Sequence, residues 1–200
     1  GGGFGRRATP TGEWVREAAG VAKALAANNQ RAPVKVMWSR EDDMKAGYYR
    51  PFTVHRAEIG YDAKGKVTAW DHRIVSQSIV AGSPFEAFMI KDGVDGTTTE
   101  GMREPYDVPM QLTVHHPKVN VPVLWWRSVG STHTAFVMET LIDEIATATK
   151  QDPVAYRMAL MDGEKGKRHR AALQLAVDQS GYGKKKLPAG TAWGVAVHES

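Results

Sequence analysis

The sequence predicts an α+β fold, and three observations carry that expectation. Apolar and polar residues alternate through Phe52–Tyr61 and again through Val67–Ser78, with Asp62-Ala63-Lys64-Gly65-Lys66 between them, which reads as a β-hairpin. Apolar residues recur at helical spacing in one early stretch and three late ones. The two patterns do not follow the regular β-α-β order of a parallel nucleotide-binding sheet. With 200 residues, 42% hydrophobic and 24% charged, the chain is large enough for one sizeable core or two small subdomains. No apolar run approaches the ~20 residues needed to cross a bilayer.

The elements follow in order. Thr11 or Gly12 caps a helix from about Glu13 to Asn28, with Trp14, Ala18, Val21, Ala22 and Leu25 on one face. Pro33–Trp38 alternates as a short strand, and Ser39 opens a short helix whose acidic residues Glu41, Asp42 and Asp43 lie where the helix dipole favours them. After the hairpin, residues 81–105 show no period and read as a long surface loop with fragments of structure, followed by a strand over Met110–His116. A helix over Thr132–Thr149 places Ala135, Met138, Leu141, Ile142 and Ile145 on one face. Asp152-Pro153 caps and starts the next helix, to Met161. A third helix over His169–Gln179 stops at Gly181, and Trp193–His198 reads as a last strand. The division expected is a first part, residues 1–130, made mainly of strands with one long helix, and a mainly helical second part, 131–200.

The absence of Cys excludes a thiolate-held iron–sulfur cluster, a Cys zinc site, a disulfide and a cysteine nucleophile. The formal charge of +4 is spread along the chain, as on a solvated surface. Two loops stand out. Gly1-Gly2-Gly3-Phe4-Gly5-Arg6-Arg7 combines backbone freedom, one bulky side chain and two cations, which suits an anionic cofactor; an expression-linker scar or an ordinary tight turn is the competing reading. A start in three glycines without Met is also expected of a cut within a longer polypeptide. Trp125-Trp126-Arg127-Ser128-Val129-Gly130 leads straight into a helix N-terminus, a second candidate anion seat or a surface turn. His115-His116 would point to opposite faces of a strand and so are not expected to share a metal. His133, at the helix start, either bonds near the cofactor loop or is a solvated or capping histidine.

Together these stretches resemble the molybdenum hydroxylases, the xanthine dehydrogenase and aldehyde oxidase family. The glycine loop is similar to that family's GGGFG loop, and Pro33–Met44 is similar to its stretch after the first helix. Trp126-Arg127-Ser128-Val129-Gly130 is similar to its aromatic-Arg-Gly-x-Gly turn, and Met138–Ala146, followed by Asp152-Pro153-Val154, to its "DE-[IV]-A" helix. The doubled arginine and the WRSVG form resemble most the β-subunit type of isoquinoline 1-oxidoreductase.

The resemblance implies a molybdenum–molybdopterin cofactor, in the cytosine dinucleotide form, held by Gly2, Gly3, Phe4, Gly5, Arg6, Arg127, Ser128 and Gly130. It implies hydroxylation of an electron-poor carbon with oxygen from water, and a small [2Fe-2S] partner subunit. Val129 stands where purine-oxidising relatives carry an aromatic that packs on the substrate ring, and Ala8 where they carry a substrate-polarising Glu. These two substrate-pocket departures point towards another N-heteroaromatic or an aldehyde. The family's glutamate base is expected downstream of this span, so the 200 residues are expected to be inactive and cofactor-free alone, a part of a larger subunit. The alternative is a noncatalytic module binding nucleic acid or another polyanion through its basic and aromatic residues. No substrate, electron acceptor or compartment follows from the sequence.

Overall fold

The computed structural model describes residues 2–200, so Gly1 of the glycine loop lies outside the described residues. It is α+β, as expected. Strands β1 (Thr53–Tyr61) and β2 (Val67–Ser76) form the hairpin, antiparallel with Ala57 opposite His72 and Ile59 opposite Trp70. Strand β5 (Met110–His115) adds to β2 in parallel, giving the order β1-β2-β5. One face of β2 presents Trp70, His72, Ile74 and Ser76, all buried, while Arg73 and Val75 face out; this is the period of two that the sequence carried.

Helix α1 (Glu13–Ala27) and helix α2 (Arg40–Lys45) precede the sheet. The long loop holds a single turn α3 (Glu86–Met89), a small ladder of β3 (Ile90–Lys91) with β4 (Val94–Asp95), and a 3₁₀ turn over Gly96–Thr99. Helices α4 (Ser131–Ala148), α5 (Pro153–Leu160) and α6 (Lys167–Ser180) complete the chain. Met138, Ile142 and Ile145 of α4 join Trp70 and Ile74 of β2, Tyr156 of α5 and Leu173 of α6 in one core. The caps follow the local sequence: Ser39 and Asp42 close a capping box, Asp152 accepts from the N–H of Val154 and Ala155 ahead of Pro153, and Gly181 ends α6 in the left-handed region.

Three expectations fail. Pro33–Trp38 and Trp193–His198 form no strand: alternation supplies a face, but neither segment pairs into a ladder among the described residues. The apolar stripe of α1 is not core: the helix buries no residue, and Val15 and Val21 are exposed. It faces instead a broad hollow of about 1070 Å³ shared with Val36, Met37 and Trp38, across which Trp38 Nε1 donates to Glu17 at 2.7 Å.

Candidate functional site

The two loops singled out in the sequence, more than a hundred residues apart, meet. The Arg127 N–H donates to the Phe4 carbonyl at 2.8 Å. Gly5, with φ +84°, packs against the backbone of Trp126 and Arg127, a path that an L side chain rarely adopts. Phe4, Ser128 and Val129 also hold positive φ, at 51°, 66° and 37°. A β-branched valine in this region is a true outlier, and such strain of order 1–3 kcal/mol gathers where a loop is shaped for a ligand rather than for its own comfort.

Between the loops lies a hollow of about 400 Å³ lined by Phe4, Arg127, Ser128, Thr132 and Arg50, with His198 from the far end of the chain. Arg50 braces the second loop, donating from Nη2 to the Arg127 carbonyl at 3.1 Å and from Nη1 to Thr132 Oγ1 at 2.6 Å. Burial lowers the pKa of this guanidinium from its usual value. The Arg127 side chain is exposed and makes no hydrogen bond or ion pair among the described residues. In the first loop, the N–H groups of Phe4, Gly5, Arg6 and Arg7 have no protein acceptor among the described residues.

The second loop differs, and here the sequence expectation needs correction. The start of α4 is not an open anion seat. Glu100 occupies it, taking the Gly130 N–H at 3.2 Å and bonding the Ser131 amide, with burial raising its own pKa. Helix N-termini favour a carboxylate as readily as a phosphate, and the chain supplies its own. Gly130 matters through its size: a Cβ there would overlap the Thr97 carbonyl oxygen.

The remaining sequence candidates divide. Gly2 and Gly3 are exposed beside Phe4. Arg6 turns away from the hollow: the residue is 4% exposed, and its guanidinium pairs with Glu13 at 2.9 Å and lies over the Tyr48 ring. Glu13 titrates below its usual value because hydrogen bonds from Thr9 and Arg6 outweigh burial, which alone would raise it. Ala8 is exposed and lines neither hollow at the loops; its carbonyl accepts from Trp125 Nε1 at 3.1 Å. Val129 lines a smaller cleft behind the second loop, with Trp126, Arg50 and His133. Asp43 pairs with Arg7 at 3.0 Å, and Asp42 closes the α2 cap, so both carboxylates have structural duties. His116 commits both ring nitrogens to backbone, Asp95 N–H and Ser76 C=O.

Sequence reasoning missed Arg50, Glu100, His55 and His72. Each lies in a strand or loop without a local motif, and only the folded chain brings it to the second loop.

A family model described as the molybdopterin cofactor-binding domain matches residues 1–161. The chain belongs to this family. An isoquinoline 1-oxidoreductase subunit beta from Brevundimonas diminuta is 31% identical over 95% of this chain and 23% of its own length. A membrane-bound aldehyde dehydrogenase (pyrroloquinoline-quinone) from Gluconacetobacter polyoxogenes is 32% identical over 98% of the chain and 27% of its own length. The fold is similar to quinoline 2-oxidoreductase from Pseudomonas putida 86, with a TM-score of 0.64 at 17% identity over 90% of this chain and 24% of that one. This molybdopterin-binding domain thus spans about a quarter of the relatives that it matches. No helix of the described residues is long and apolar enough to cross a membrane.

Proposed function

We propose that the Phe4 and Arg127 loops hold the molybdopterin cofactor of a molybdenum hydroxylase, acting on an N-heteroaromatic or aldehyde carbon. The observation that carries this reading is the meeting of the two loops at a single hollow lined by Phe4 and Arg127, where the first loop's amides and the Arg127 guanidinium have no partner among the described residues. The donor set fits the group: an anionic cofactor asks for N–H donors and a cation with no internal partner, and this hollow offers both. Phe4 to Arg7 contribute the amides. Arg127 contributes a charge-assisted fork, and Arg50 and Thr132 hold its backbone in place. Arg6 acts through Glu13 as an anchor for the first loop rather than as a ligand.

Once bound, the cofactor supplies oxidative hydroxylation with oxygen from water; this chain supplies binding and orientation. Val129, small where purine-oxidising relatives carry an aromatic, supports a substrate other than a purine. The names of the Brevundimonas and Pseudomonas relatives agree with an N-heteroaromatic, and that of the Gluconacetobacter relative with an aldehyde. The base, a [2Fe-2S] partner and a cytosine dinucleotide complete the proposal for the full-length enzyme, and residues 1–200 alone are expected to be inactive.

The test is metal and cofactor analysis of the full-length protein. Molybdenum and a pterin dinucleotide in near one-to-one amounts are expected, with quinone analysis as the control suggested by the Gluconacetobacter relative. Arg127→Ala is expected to lower cofactor occupancy while leaving the fold intact. A fully active protein without molybdenum overturns the reading.

A further inference from the structure

Behind the second loop runs a chain of aromatic N–H groups that the proposed cofactor seat does not use. Trp70 Nε1 donates to His72 Nδ1 at 3.0 Å, His72 Nε2 meets His55 Nδ1 at 2.8 Å, and His55 Nε2 meets His133 Nδ1 at 2.9 Å. The sheet register builds it. His72 lies opposite Ala57, so His55 is its diagonal neighbour on the same face, and α4 lays His133 over that face.

The direction of the chain follows from one fact: an indole nitrogen only donates. His72 Nδ1 must therefore accept, which places the His72 proton on Nε2. A neutral imidazole has one donor and one acceptor, so His55 in turn accepts at Nδ1 and donates from Nε2. His133 then accepts at Nδ1, and its proton sits on Nε2. That nitrogen has no protein partner among the described residues, and His133 lines the cleft of about 20 Å³ behind Val129. A space of this size takes one water-sized oxygen. Arg50, Ser76, Gln77 and Thr97 line the same cleft and supply further polar neighbours.

We propose that His133 is a positioning residue of the site: a neutral imidazole, its tautomer dictated from Trp70 through His72 and His55, that presents one N–H donor to a single oxygen seated behind the Val129 turn. The chain holds a proton and cannot pass one along, because its far end is a buried donor with no lone pair to accept. The surroundings keep the rings neutral. Burial comes first for both His55 and His133, bringing each down to about 4; His133 and His72 add to it for His55, and the Arg50 charge adds to it for His133. Burial also lowers His72, with Asp71 opposing.

Neutron diffraction from crystals of the full-length protein at pH 7 reads the proposal directly. Deuterons are expected on Nε2 of His72, His55 and His133, with an oxygen within hydrogen-bond distance of the last. An oxygen present with and without cofactor is a water; one present only with cofactor belongs to the bound group. A deuteron on His133 Nδ1, a doubly protonated ring, or the lack of that oxygen in both forms overturns it. This outcome does not depend on which cofactor the hollow binds. As a second measurement, His133→Phe is expected to change kcat or KM by about tenfold, the loss of one hydrogen bond. His133→Gln, which can still donate, is expected to restore most of the effect, and equal losses in both variants would also overturn it.

Discussion

Two regions of this domain are built from arginine and acidic side chains, and they use them in opposite ways. In the helical half, Arg157 is fully buried and every arm of its guanidinium is matched. Nε meets Glu139 Oε2 at 2.9 Å, Nη1 meets Asp143 Oδ1 at 2.6 Å, and Nη2 meets the Glu139 carbonyl at 3.1 Å. Tyr106 and the Val197 N–H take up the remaining capacity of Glu139. Burial would lower the Arg157 pKa, but the hydrogen bond to Asp143 and the charge of Glu139 raise it above its usual value. At the loop junction, Arg127 is exposed, its backbone is strained on the C-terminal side, and its side chain is unmatched among the described residues. A closed ion network ties elements together; the open guanidinium beside strained backbone is the seat proposed above for a ligand.

Variants of the full-length protein can break this contrast, beginning where the effect is greatest. Arg157→Met leaves Glu139 buried without its cation and is expected to cost about 3–5 kcal/mol in the unfolding transition of this domain. Arg127→Ala is expected to move the same transition by no more than about 0.5 kcal/mol. It is expected to weaken cofactor retention by roughly tenfold to a hundredfold on dialysis, from the loss of a charge-assisted hydrogen bond. Equal stability losses in both would erase the distinction.

Next comes Gly130→Ala. Its methyl group overlaps the Thr97 carbonyl, and an overpacking cost of about 1–3 kcal/mol is expected in chemical denaturation, together with a displaced second loop. Arg50→Met removes the brace on the Arg127 carbonyl and Thr132. About 1–2 kcal/mol is expected from those hydrogen bonds, with cofactor content falling more steeply than stability.

A pH dependence is also expected. His55 and His133 titrate near 4 when folded against an ordinary 6.5, so between those values the unfolded chain binds more protons than the native one. Stability is therefore complete above about pH 6.5 and is lost progressively as pH falls towards 4. Thermal midpoints across that window check the sign, and His133→Gln should flatten the slope. The smallest change is Val129→Gly, which relieves a strained φ and is expected to stabilise the domain by about 1 kcal/mol; a loss of stability would mean that Val129 packing outweighs the strain.

Much of this contrast was legible in the sequence, but unevenly. The hairpin, α4 with its apolar face, and the Asp152-Pro153 cap each follow from residues within a few positions of one another, and the structure shows them within one or two residues of the expected bounds. The stripe of α1 was equally clear, yet it covers no core among the described residues; amphipathicity specifies a face and not its partner. At the site, Phe4 and Arg127 stood out because glycine turns beside arginine are a local signal. Arg6 carried the same signal and yet turns inward, since Glu13, the first residue of α1, offered a nearby anion.

Local sequence thus determined the hairpin, the main helices, several of their caps and the two loops with unusual chemistry, because hydrogen-bond geometry and side-chain periodicity act over a handful of residues. Tertiary structure alone decided which loop meets which, that Glu100 closes the helix start before any ligand can, and that Trp70 dictates where the His133 proton sits. Those outcomes depend on groups brought together from distant points of the chain, and the register of a sheet and the docking of a helix are properties of the whole core.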